Sequence, residues 1–381
     1  MTEVTRARWA LVLILFGAAS LRLLNARTSP LDEIEAIEFI PAAMTLSWEH
    51  HPIRVAQHAA VPIYLIRASA LVFGESDVGL RAFSIIAGLA TIALLYAVAT
   101  RWWGPIAGLT VAVLMAMERY HVEVSARAFD LPFALLFAAT ATFCFSRFLH
   151  ARNSPAADRP RWLYGTAIAC GLGFLCKEFT ALLVPGLLVS LALVGEAGWL
   201  RRRELWLAAA LYGLLIAPDL YSNLTVTRAA RMELLARHQD ALRQRGIMWT
   251  DQDIVKNGLY MSYGDHLSRF RGIDLNLEPF YFYFGELFDR AGVPHANEFD
   301  EIPFMDPLMG VTLWASAITG FARRRKDALA ISLLTLFVVT LLPFAFIQVG
   351  PPRAQFATDA QALWYWADLS MLPALLLAGH S

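Results

Sequence analysis

Apolar residues along the chain fall into long continuous runs, and charged residues gather between them. A hydrocarbon core about 30 Å thick requires roughly 17–25 apolar residues per helix. Runs that qualify, some with the help of their flanks, lie near 9–25, 80–100, 104–121, 129–149, 161–178, 179–196, 204–219, 304–321, 327–347 and 361–379. The pattern predicts an all-α polytopic membrane protein with about ten transmembrane helices. Spanning strands would alternate apolar and polar positions, which these runs do not. The stretch Val61 to Phe73 is apolar but short, and predicts a helix lying in the membrane interface.

Basic residues orient these spans. With Arg6 and Arg8 in the cytoplasm, alternate turns place Arg101, then Arg147, Arg152, Arg159 and Arg161, then Arg201, Arg202 and Arg203, and finally Arg323, Arg324, Arg325 and Lys326 on that same side. The first span follows two arginines, as a signal peptide would, but reads as an anchor, since its removal would leave 26–79 untethered. Three regions result: an N-terminal transmembrane module 1–219 with an outer loop at 26–79, an outer segment 220–303, and C-terminal helices 304–381. The outer segment predicts a helix near 226–245 and an interfacial aromatic run from Phe280 to Phe284.

Composition agrees with a lipid solvent. The chain is 57% hydrophobic and 17% charged, against about 45–50% and about 25% for soluble proteins, and its mean hydropathy is +0.48. Thirty-two basic residues balance 32 acidic ones, which gives a nucleic-acid partner no support. Cys144, Cys170 and Cys176 all lie in apolar runs and form neither a disulfide frame nor a metal pattern. Arginine-rich, lysine-poor usage points to a bacterial inner membrane.

Polar chemistry concentrates on the outer side. Asp32, Glu33 and Glu35 follow the first span by a few residues. They suit either a general base beside a lipid-phosphate substrate or a solvated interfacial loop. Arg127 and Asp130 bracket the outer start of the fourth span, on one face if the helix has begun there; ionisable groups at membrane depth are costly and functional by default, though a structural ion pair would place them equally well. Lys177, one of three lysines in the chain, ends the Gly-punctuated run Gly171-Leu172-Gly173-Phe174-Leu175-Cys176. Its ammonium could hold a phosphate or simply snorkel. Arg81 and Arg353 add two outer cations that could converge with Arg127 and Lys177 on one anion. His50, His51 and His58 match no recognised zinc spacing.

The order of these features resembles the GT-C membrane glycosyltransferases, closest to the protein O-mannosyltransferase branch that includes the lipid A aminoarabinose transferases. The resemblance rests on Asp32-Glu33 after the first span, on His58 to Gly74 with Tyr64 and the closing Phe73-Gly74, and on Arg81 opening the second span. It continues through Ser125 to Asp130, Gly171-x-Gly173-x-x-x-Lys177 with Val184-Pro185, and Trp364 to Leu375. Ala59-Ala60 stand where the family has prolines, and the closing arginine sits earlier, at Arg353.

The resemblance implies a GT-C fold and an inverting transfer of sugar from a polyprenyl-phosphate carrier to a lipid, glycan or protein hydroxyl. It implies Asp32, Glu33 and Asp130 as the catalytic carboxylates, Asp32 being the base, with His58, Tyr64, Arg81, Arg127, Lys177 and Arg353 binding substrate. Tyr260, Tyr263 and His266 would line the rim. No cofactor is required for a monophosphate leaving group held by cations, and a divalent cation is compatible with it. A lipid-linked sugar transporter or flippase is the rival class; it would place charges near the mid-membrane and show repeat symmetry. A non-catalytic membrane partner is a second.

Overall fold

The computed structural model describes residues 3–31, 35–46, 54–55, 58–153, 159–243, 270–273 and 307–349, with positions 376 and 379. The chain opens with α1 (Glu3–Thr28), a π-helical turn (Glu35–Phe39), α2 (Ile40–Met44), a two-stranded antiparallel ribbon of β1 (Arg54–Val55) and β2 (His58–Ala59), and α3 (Val61–Phe73). Next come α4 (Asp77–Trp103), α5 (Pro105–Met117), α6 (Arg119–Ser125), α7 (Leu131–His150) and α8 (Arg159–Phe174). A 3-10 turn (Glu178–Leu182), α9 (Leu183–Leu193) and α10 (Arg203–Arg243) follow. A second ribbon pairs β3 (Phe270–Ile273) with β4 (Ile347–Val349) across α11 (Pro307–Arg324) and α12 (Ala328–Phe346).

Nine of the ten predicted apolar runs coincide with helices, and the tenth, 361–379, falls almost wholly outside the described residues. Length sorts them further. Thr5–Thr28, Asp77–Trp103, Leu131–His150 and Arg203–Thr225 are long and apolar enough to cross a membrane, while Pro105–Met117, Glu178–Leu193 and Ala328–Thr340 are shorter apolar helices. Leu13 and Phe16 on α1 are 70% and 73% exposed, as lipid-facing residues should be.

The run 104–121 is two helices because Glu118 ends α5 in an extended conformation. Its Oε2 then accepts the His121 backbone N–H at 2.5 Å, satisfying a donor in the first turn of α6. Gly104, at φ +95°, makes the tight break between α4 and α5 that favours glycine. In the other direction, α10 runs unbroken through Pro218 to Arg243, merging the predicted span and the helix expected near 226–245.

The centre of the bundle is α4, which packs on α1, α3, α5 and α7; α7 packs on α8, α8 on α10, and α9 on α12. Small residues such as Ala87, Gly88, Ala99, Ala112, Ala138 and Ala139 lie in these contacts, letting backbones approach where lipid offers little hydrophobic drive for association. The end of α1 and the starts of α4 and α7 lie together at one end of the bundle, linked by the bonds described next. Val61 to Phe73 forms the predicted helix, with Leu71, Val72 and Phe73 exposed.

Candidate active site

Arg81, in the first turns of α4, is completely buried. Its Nε donates to Glu35 Oε1 at 2.8 Å and its Nη2 to Glu35 Oε2 at 2.5 Å. Nη1 donates to the carbonyls of Ala26 (2.8 Å) and Ser29 (3.0 Å), and Nη2 to that of Pro30 (2.9 Å). All five guanidinium N–H groups are therefore used inside the protein, so the arginine expected to meet substrate instead clamps the chain on both sides of 32–34. Glu35 Oε1 also accepts the Ala128 N–H at 2.6 Å, and Phe39 meets Phe129 edge-on at 5.2 Å. Glu35 and Phe39 thus dock onto the loop before α7.

That second loop ends at Asp130. A following Leu131-Pro132 starts α7, but the Asp130 side chain does not cap it; Oδ2 accepts from Lys177 Nζ at 2.7 Å instead. Both groups are nearly inaccessible, the side chains being 1% and 8% exposed. Lys177 reaches this point because α8 stops at Phe174 and the chain folds back, with Lys177 N–H bonded to the Gly173 carbonyl at 2.8 Å. The glycine motif has a packing cause. A Cβ on Gly173 would stand 3.2 Å from Thr180 Oγ1, and one on Gly171 would stand 2.9 Å from Leu215 Cδ1 on α10.

Arg127 does not pair with Asp130. It bonds the Glu123 carboxylate, one turn back on α6, because α7 begins only at Leu131 and Arg127 and Asp130 precede any shared helical face. Each of the three predicted outer cations described, Arg81, Arg127 and Lys177, is matched to a carboxylate. Tyr64 lies on α3, 40% exposed. His58 stands in β2, and its side chain is not described. Asp32, Glu33, Arg353, Tyr260, Tyr263, His266 and the run from Phe280 to Phe284 lie outside the described residues. So do His50 and His51, and among the described residues no group of three His, Cys, Asp or Glu side chains could hold a metal.

A second buried network escaped sequence reasoning. Arg22 of α1 is fully buried and donates through Nε to Ser125 Oγ at 2.7 Å, through Nη1 to the Ala18 and Ala116 carbonyls at 3.1 and 3.3 Å, and through Nη2 to the Met115 carbonyl at 3.3 Å. Nη2 also lies 2.5 Å from His121 Nδ1. That contact requires Nδ1 as acceptor and hence a neutral ring. An arginine inside an apolar run was the available signal. Its side-chain partners, His121 and Ser125, sit in the unremarkable polar stretch that forms α6.

Comparison with known proteins bears on this arrangement. Residues 57–221 match the family described as dolichyl-phosphate-mannose-protein mannosyltransferase. The matched segment contains His58, Tyr64, Arg81, Arg127, Asp130 and Lys177, and begins after Asp32 and Glu33. No curated protein sequence matches the chain. Among solved structures, ArnT from Cupriavidus metallidurans bound to undecaprenyl phosphate is similar over 97% of this chain and 59% of that one, with a TM-score of 0.65 and 14% identity. The Archaeoglobus fulgidus oligosaccharyltransferase tethered to an acceptor peptide is similar over 98% and 49%, with a TM-score of 0.57 and 13% identity. The oligosaccharyltransferase AglB of the same organism, in complex with an inhibitory peptide and a dolichol-phosphate, gives 99%, 50%, 0.56 and 13%. The chain spans about three-fifths of the length of ArnT and half that of the archaeal enzyme. It therefore has a fold similar to those of ArnT and the archaeal oligosaccharyltransferase and, over residues 57–221, matches the dolichyl-phosphate-mannose-protein mannosyltransferase family model.

Proposed function

We propose that the chain is an inverting glycosyltransferase that moves a sugar from a polyprenyl-phosphate carrier to an acceptor hydroxyl at the outer face of a bacterial inner membrane, with its N-terminus in the cytoplasm. The observation that carries this reading is the buried Asp130–Lys177 pair, joined through the 126–130 loop to the Glu35–Arg81 clamp. Two buried ion pairs at one end of a membrane bundle cost desolvation that packing alone would not require. The polyprenyl phosphates in the ArnT and AglB structures support a lipid-linked donor.

In this reading Asp32 is the base, and it stands in the chain between the two points that Arg81 holds. The acceptor oxygen gives its proton to the Asp32 carboxylate and attacks the anomeric carbon from the face opposite the phosphate. The new C–O bond forms as the bond to the phosphate oxygen breaks, and the electron pair leaves with the polyprenyl monophosphate. Lys177, Arg127 and Arg353 stabilise the charge that grows on that phosphate; Glu33 and Asp130 orient sugar and cation, and His58 and Tyr64 line the donor. Arg81 acts by positioning. The acceptor, lipid, glycan or protein, is chosen by the segments 26–79 and 220–303, and a divalent cation is compatible with the same step.

The test is transfer of radiolabelled sugar from a panel of polyprenyl-phosphate donors in membranes, comparing the native chain with Asp32→Asn. A native signal lost in a normally expressed variant is expected. Equal signals would remove Asp32 from the chemistry. Uptake of the donor across reconstituted vesicles without transfer would favour a lipid-linked sugar transporter.

A further inference from the structure

At the end of the bundle opposite the candidate site, three helices bring basic groups together. Arg101 lies in the last turn of α4, Arg147 and His150 in the last turn of α7, and Arg161 in the first turn of α8. The Arg147 guanidinium carbon is 4.6 Å from the centre of the Trp162 ring and that of Arg161 is 5.2 Å from it. Trp102 meets His150 edge-on at 5.4 Å. Arg147 is near enough to Arg101 and Arg161 to feel both charges, and His150 near enough to Arg101 and Arg147.

Three features set this cluster apart from an ordinary basic flank. Neighbouring Arg152 and Arg159 are matched by Glu196 at 3.1 and 3.2 Å, whereas Arg101 and Arg147 have no ion pair among the described residues. Arg161 occupies the end of α8 where the helix dipole disfavours a cation. Stacking on Trp162 also holds Arg147 beside its like-charged neighbours, where a free side chain would swing into water and relieve the repulsion.

We infer that Arg101, Arg147, His150 and Arg161 bind the phosphate headgroup of an anionic phospholipid in the leaflet at that end, with Trp102 and Trp162 beside its glycerol. Guanidinium forks match phosphate oxygens in two-point contacts, and an anion placed among them offsets their repulsion. The commitment to a lipid follows from the site's level: it lies at helix ends beside two partly buried tryptophans, the depth at which such rings meet headgroups.

The experiment strips lipid from the purified protein in neutral detergent, titrates phosphatidylglycerol, and counts adducts by native mass spectrometry. Removing two arginines in R101Q/R147Q is expected to weaken binding about tenfold or more. The matched control R323Q/R324Q, which removes two charges from another turn at the same end, is expected to bind as the native chain does. Equal weakening in both variants would reduce the effect to net charge and overturn the site. Equal binding of phosphatidylcholine, or displacement by inorganic phosphate, would overturn the lipid. Should R101Q/R147Q not fold, Arg147→Lys keeps the charge without the planar fork, and is expected to bind several-fold more weakly; unchanged affinity would sink the proposal.

Discussion

Arg81 and Glu35, 46 residues apart, share two hydrogen bonds in a site closed to solvent, and the same guanidinium holds the Pro30 carbonyl. Breaking a buried pair from one side leaves an uncompensated charge, which costs about 3–5 kcal/mol. Arg81→Met is therefore expected to lower the thermal midpoint in detergent markedly and to abolish sugar transfer. Adding Glu35→Leu should restore much of the midpoint without restoring transfer, because the tie to Pro30 stays broken. Recovery of transfer in the double variant would show that the clamp does not position the acidic loop.

The Asp130–Lys177 pair makes a different prediction, since it is proposed to act in the reaction. Asp130→Asn and Lys177→Met should each lower kcat by about a hundredfold or more, the scale of losing one fixed charge-stabilising group. The double variant Asp130→Leu/Lys177→Met should melt near the native temperature, as buried pairs replaced by apolar groups commonly do, and remain inactive. A double variant that is both unstable and active would reverse the assignment. Thermal unfolding and transfer kinetics on the same preparations separate the two.

Gly88 lies on α4 where a Cβ would come within 2.5 Å of Ser125 Cβ and 3.3 Å of Arg22 Nε. The clashing Ser125 atom is attached to backbone and cannot swing aside. Gly88→Ala should therefore push α6 from α4, break the Arg22–Ser125 bond, and cost about 1–3 kcal/mol. Gly213, whose Cβ would meet nothing within 4 Å, provides the control: Gly213→Ala should be neutral or slightly stabilising by thermal unfolding.

The candidate site was partly legible before the structure. Lys177 and Asp130 stood out as ions at membrane depth, but their mutual bond did not, since Asp130 was set beside the nearer Arg127 and Lys177 was read as holding a phosphate or snorkelling. Arg127 was set beside Asp130 by a spacing of three; the helix starts after both, and Glu123, already on α6, takes the arginine. Glu35 counted only as part of an acidic run. Arg22 went unread because one polar residue barely alters the hydropathy of a long span.

What the sequence determined by itself was the solvent and the order of helices, because the length of an apolar run and the charge of its flanks are local properties. Continuous runs and clustered arginines state them directly. Only the tertiary structure decided which charges meet. The pairs Arg81–Glu35, Lys177–Asp130 and Arg22–His121 join residues 46, 47 and 99 positions apart, and a buried charge takes the partner that helix packing brings within hydrogen-bond reach, whatever its distance along the chain.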